Sequence, residues 1–252
     1  METLELKVSP FEGREFGNSE REENIESRID EAVERAFQQY QQLQLVFYYK
    51  NKLNLEIVLE KVKAMQLPIL NPAKINYLLQ IIIQKSPAQQ VQNSLTGILF
   101  SRLIQISYKK GCNDFLLTTK DMHINELGYR LKGTAKQPIQ LMIYGNSGNN
   151  TGEYSKYCNY IILGNTSDFT GVESTHCNYI IQGNTGNFTG DDSKNCTFTI
   201  KGIIGYIYEP QSKNCTYKTP NPAIYSELQR IFAANTIQLI DAEGKILDET
   251  KK

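Results

Sequence analysis

Apolar residues in this chain follow two rhythms, and the change between them falls near residue 118. Before it they recur every three or four positions. Ile25, Ile29, Val33, Phe37 and Tyr40 share one face of a helix that Ser19 and Glu22 open as a capping box. Asn54 caps a second helix with Ile57, Val58, Val62 and Met65, which Pro68 ends. Asn71-Pro72 and Ser86-Pro87 each pair a cap with a proline and open two more. The third helix carries Ile75, Leu78, Leu79 and Ile82; the fourth carries Val91, Leu95, Ile98, Leu99 and Leu103 and stops by Gly111. Four amphipathic helices on short turns predict a bundle. Leu4, Leu6 and Val8 alternate as an edge strand would, and Asp114 to Thr119 reads as a strand leading onward.

Beyond residue 118 the period is two, and the pattern itself repeats every 19 residues. The units are GNSGNNTGEYSKYCNYIIL, GNTSDFTGVESTHCNYIIQ, GNTGNFTGDDSKNCTFTIK and GIIGYIYEPQSKNCTYKT, and the first two share 10 of 19 positions. Cys158, Tyr160 and Ile162 share one parity; Cys177, Tyr179, Ile181 and then Cys196, Phe198, Ile200 repeat it, with Cys215 opening the last unit. That set predicts an inward strand face, a core ladder. The other parity drifts from apolar to polar, through Ile161, Ile180, Thr199 and Lys218, as only an outward face tolerates. Phe169-Thr170-Gly171 and Phe188-Thr189-Gly190 suggest a second strand per unit. Glycines 145, 164 and 183, each before an asparagine, suggest corners with positive φ. Subtracting 19 places Ile139, Leu141 and Ile143 in a degenerate first coil and equates Gly133 with Gly152. Stacked units of this kind bury their apolar faces only against their neighbours.

The predicted class is α+β: an N-terminal helical bundle, a short parallel β-solenoid of 19-residue coils, and a C-terminal capping helix and hairpin. The boundaries are 1–118, 119–219 and 220–252, with the degenerate coil from about residue 126 and clear repeats over 145–219. Asn221-Pro222 starts the capping helix with Ile224, Leu228, Ile231 and Phe232, and Thr236–Asp241 with Lys245–Asp248 form the hairpin. Over residues 126–219 the pattern resembles parallel β-helix repeat proteins. That resemblance implies the fold and leaves function open.

Composition narrows the partners. Lys+Arg and Asp+Glu are both 27, which gives no field to steer nucleic acid. The longest apolar run, Leu45 to Tyr49, cannot span a membrane, and the start METLELKVSPFEGREF has no signal-peptide pattern, so the expectation is a cytoplasmic protein off the membrane. Five cysteines without a CxxC pair and two histidines, His123 and His176, predict free thiols in a core ladder and no metal or other cofactor.

Catalytic arrangements are thin. Glu173 and Asp192 share a column as a paired carboxylate would, but in a polar corner that predicts solvated turn carboxylates. His176 beside Cys177 has no acidic orienter, and strand neighbours point to opposite faces. The Asn-x-Ser/Thr matches at 149, 165, 187, 195 and 214 follow from the repeat. The Thr151, Thr170 and Thr189 column predicts a packed edge. An apolar outward face remains: Met142, Ile161 and Ile180, flanked by Tyr144 and Leu163. The helical bundle is expected to cover it, or a protein partner or second copy to use it. The leading functional expectation is a non-enzymatic protein-interaction or scaffold protein. The rivals are a carbohydrate-binding or carbohydrate-cleaving β-helix, and a phage, toxin-system or surface-fibre component.

Overall fold

The computed structural model describes residues 30–48, 55–206, 211–231 and 235–250. The Leu4–Val8 alternation, the Ser19 capping box, Ile25, Ile29, the Asn54 cap and Phe232 lie outside them.

The N-terminal part is helical as expected: α1 (Glu31–Tyr48), α2 (Leu55–Ala64) and α3 (Pro72–Lys85). Asn71 caps α3, its side chain accepting from the Lys74 amide, with Pro72 in the first turn. The expected fourth helix is two, α4 (Ala88–Val91) and α5 (Ser94–Tyr108). Asn93 divides them: its backbone is extended and its side chain accepts from the Thr96 amide at 3.2 Å. Periodicity misses this break because Val91 and Leu95 stay in phase across it.

The remaining elements are β1 (Asp114–Lys120), β2 (Ile139–Gly145), β3 (Cys158–Ile162), β4 (Asn178–Ile181), β5 (Thr197–Ile200), β6 (Thr216–Thr219), α6 (Pro222–Ile231), β7 (Thr236–Ile240) and β8 (Ile246–Thr250). The eight described strands form one sheet in chain order, parallel except for the antiparallel β7–β8 pair. This is the predicted β-solenoid, and it reaches one strand further at each end. The Asp114 strand is its first rung, and β7 both continues the parallel stack and starts the hairpin.

From β2 to β6 the register advances by one repeat without a slip: Ile139 faces Cys158, Tyr160 faces Tyr179, Phe198 faces Tyr217. The inward parity therefore stacks like on like. The rings of Tyr160, Tyr179, Phe198 and Tyr217 lie 4.8, 4.8 and 5.1 Å apart and nearly parallel, between Leu141 above and Ile237 below. Their hydroxyls find buried acceptors: Tyr160 donates to the Gly128 carbonyl, Tyr179 to Gly152 and Tyr217 to Gly190. Where Phe198 lacks the hydroxyl, Ser174 Oγ donates to Gly171 O. Glycine is required opposite the rings, since a Cβ on Gly171 would lie 2.7 Å from a Phe198 ring carbon.

The cysteine column is buried and free, as expected. Each ladder thiol donates to the carbonyl two residues earlier, and the Cys177 and Cys196 amides donate to the sulfurs of Cys196 and Cys215. At the end Asn235 replaces the next sulfur: Oδ1 accepts from the Cys215 amide and Nδ2 donates to Ser212.

Three local expectations are corrected. The Phe-Thr-Gly segments are turns, with Phe169 and Phe188 at φ 62° and 57°; each unit has one strand and a single-residue bridge, such as Thr175. Gly164 and Gly183 are not left-handed. Close stacking demands them: a Cβ on Gly164 would lie 2.5 Å from Asn146 Oδ1 and 2.6 Å from Gly145 O. The corner asparagines form a ladder, with Asn146, Asn165 and Asn184 each accepting the amide one rung on, at 2.8 Å. Finally, Gly133 is not the counterpart of Gly152. The first coil is longer than the rest, Lys132 bridges Lys156, and Gly128 takes the left-handed position.

Both ends of the stack are closed. At β1, Asn76 Oδ1 on α3 accepts from the Thr118 amide at 2.8 Å and Gln80 donates to the Thr118 carbonyl at 2.7 Å. Those side chains occupy a strand edge that would otherwise pair with another chain. Beyond β6, α6 packs on β6 and β7, burying Tyr225 and Leu228.

Candidate functional site

The outward face of β2–β4 keeps its apolar residues together. Met142, Ile161 and Ile180 are register partners in one column, with Leu116 of β1 next to Met142. Two residues along, Tyr144 is 59 % exposed and Leu163 is 38 % exposed. Ile161, between them and its rung neighbours, is 5 % exposed, while Met142 and Ile180 are half-buried. Consecutive rungs of this face are in register, and the rings on the opposite, inward face stack nearly parallel, 3–6° apart.

Helix α3 packs on β1, and no described helix packs across β2, β3 or β4. Helix α3 meets the sheet edge through Asn76 and Gln80, polar residues that hydropathy assigns to solvent.

A second cluster, unforeseen from the sequence, gathers at the corner where the first two coils meet α5. Glu126 is 4 % exposed; Asn150 Nδ2 donates to its Oε1 at 3.1 Å, and its Oε2 has no partner. Burial raises its carboxyl above the usual range. Burial, then the charges of Glu126 and Glu173, push Glu153 up to about 7, against the pull of Arg130. Hydrogen bonding to Glu173, then burial, raises the Tyr154 hydroxyl to about 12. The Arg130 guanidinium lies over both Tyr129 and Tyr154, at 5.1 and 5.2 Å from the ring centres. These residues escaped the 19-residue columns because the first coil is longer. Aligning Gly128 with Gly152 would have found them.

Other candidates resolve plainly. Glu173 and Asp192 are exposed turn residues with positive φ. His176 is exposed and stacks on Tyr157 at 4.9 Å, while Cys177 is buried, so they do not face one another. Hydrogen bonding to Cys158 leads the causes that push the Cys177 thiol up to about 12, the reverse of nucleophile activation. Thr151, Thr170 and Thr189 are buried, each hydroxyl donating to the carbonyl three residues back. Asn149, Asn165 and Asn187, which head acceptor patterns, hold amides of the next rung. Among the described residues no group of three or more His, Cys, Asp or Glu is placed to hold a metal ion, and no helix is long and apolar enough to cross a membrane. No protein-family model, curated protein or solved structure matches the chain.

Proposed function

We propose that this protein is a non-enzymatic scaffold that binds an extended segment of a protein partner on the outward face of β2–β4. The observation that carries the reading is the apolar strip of β2–β4, across which no described helix packs and whose rim residues Tyr144 and Leu163 are exposed. Its size favours a segment over a folded domain. Three rungs at ~4.8 Å and a five-residue strand at ~3.3 Å per residue give roughly 240 Å². A stable globular pair buries about 800 Å² on each side. Along each strand the strip presents apolar residues two positions apart, Met142 with Tyr144 and Ile161 with Leu163. Alternate side chains of an extended segment have the same spacing of about 6.7 Å.

The test is a photo-crosslinking residue at position 144 or 163 in the native host, with exposed Phe169 on a turn as control position. One shared partner crosslinked from 144 and 163, and not from 169, is the expected result. Adducts at 144 and 163 no different from those at 169 would overturn the reading.

A further inference from the structure

We infer that a second face of the solenoid, independent of the apolar strip, binds an anionic polysaccharide laid along the solenoid axis.

Charge is the first support. Lys132, Lys156, Thr175, Lys194 and Lys213 are parallel bridge partners in one column, and the four lysines are exposed. Four rung spacings of ~4.8 Å make this a line of about 19 Å. Among the described residues none of these lysines is ion-paired. Like charges held in register repel one another, and a bound anion relieves that repulsion. Glu173 and Asp192 stand two residues before the column, and Glu173 is engaged by the Tyr154 hydroxyl.

The adjoining column is the second. The residue after each bridge is Tyr157, His176, Asn195 and Asn214 in turn, all at positive φ. His176, Asn195 and Asn214 are exposed, and Tyr157 is half-buried. Among the described residues their phenol, imidazole and carboxamide groups make no hydrogen bond. A line of unpaired cations therefore runs beside a line of unspent hydrogen-bonding groups, both parallel to the axis.

Spacing selects the ligand. An extended chain of 1→4-linked pyranoses advances by close to one strand spacing of ~4.8 Å per sugar. Its carboxylates or sulfates meet successive lysines, and its hydroxyls meet the Tyr157–Asn214 column. An acidic peptide laid the same way repeats its side chains at about 6.7 Å and falls out of step. Single-stranded nucleic acid binds through open aromatic faces. Here the Tyr157 and His176 rings are stacked on each other at 4.9 Å, and Lys156 lies over Tyr157.

The probe is a fluorescently labelled hexamer of 1→4-linked galacturonic acid, titrated into the full chain and followed by anisotropy. Lys156→Gln with Lys194→Gln should weaken binding roughly tenfold. Asn195→Ala with Asn214→Ala should weaken it about fivefold and leave its salt dependence unchanged, which a purely electrostatic surface would not show. Lys61→Gln with Lys63→Gln, the same change of charge on α2, should leave binding as it was. All of these side chains are exposed, and circular dichroism checks that each variant is folded. Absence of binding to the unaltered chain would overturn the inference, and so would an equal loss in the α2 variant. Tighter binding of a hexathymidylate or a hexaglutamate than of the uronate would assign the face to another class of ligand and refute it. Undiminished binding of the fully methyl-esterified hexamer would remove the role of the lysines and refute it as well.

Discussion

Two threonine columns inside the solenoid should respond in opposite directions to the same substitution. Ser147, Thr166 and Thr185 are buried in one column, and their hydroxyls have no hydrogen-bond partner. The next coil places Ile204, packed on the core, at the same position. A buried polar group without a partner costs about 1–3 kcal/mol, so Thr166→Val should stabilise by about 1 kcal/mol. The pair Thr166→Val with Thr185→Val should gain about 2 kcal/mol, which in a chain of this size is a melting shift of roughly 4–8 °C. Four residues along, Thr170 donates to the Ser167 carbonyl at 3.1 Å. Thr170→Val removes that bond and should cost about 1 kcal/mol. The chain has no tryptophan, so urea unfolding is followed by far-UV circular dichroism and tyrosine fluorescence. A Thr166→Val chain that loses 1 kcal/mol or more would show that its hydroxyl is bonded, and the reasoning would fail.

Gly164→Ala should cost about 1–3 kcal/mol by overpacking against Gly145 and Asn146. Gly244→Ala, at φ 85° with nothing within 4 Å, should cost only about 1 kcal/mol of backbone strain; the reverse order in urea midpoints would dismiss the stacking account. Glu153 has a folded pKa of about 7 against an ordinary 4.5, so the folded state holds its proton more tightly. Its contribution to stability is therefore full below pH 4.5 and is lost as the pH rises through 7. Because the group is only half-buried, the effect is on the order of 1 kcal/mol. Glu153→Gln should flatten the fall in stability between pH 5 and 8, and an unchanged profile would rule out this carboxyl as its source.

The solenoid was legible because each inward column holds one chemical type. Cys158 to Cys215, the aromatic column and Ile162 to Ile200 announce the register that the strands adopt. What escaped was conformation shared by similar sequences. Gly-Asn suits a left-handed corner and an amide-accepting ladder equally well, and Asn165 shows the ladder. Phe-Thr-Gly has strand composition, but the inward Thr170 hydroxyl bends back to Ser167 in a turn. How α3 meets β1 was not legible either, because Asn76 and Gln80 decide it by hydrogen bonds rather than by hydrophobicity.

The two closures make the stack a ruler. Asn76 and Gln80 engage β1, while Asn235 and α6 engage the last coil. Each intervening coil sets its own register against its neighbours and adds one strand spacing of ~4.8 Å. In-frame gain or loss of a whole coil would change the separation of the two ends in steps of that size and leave both terminations chemically intact. Tandem duplication of the encoding segment thus gives this architecture a way to vary in length without exposing an edge.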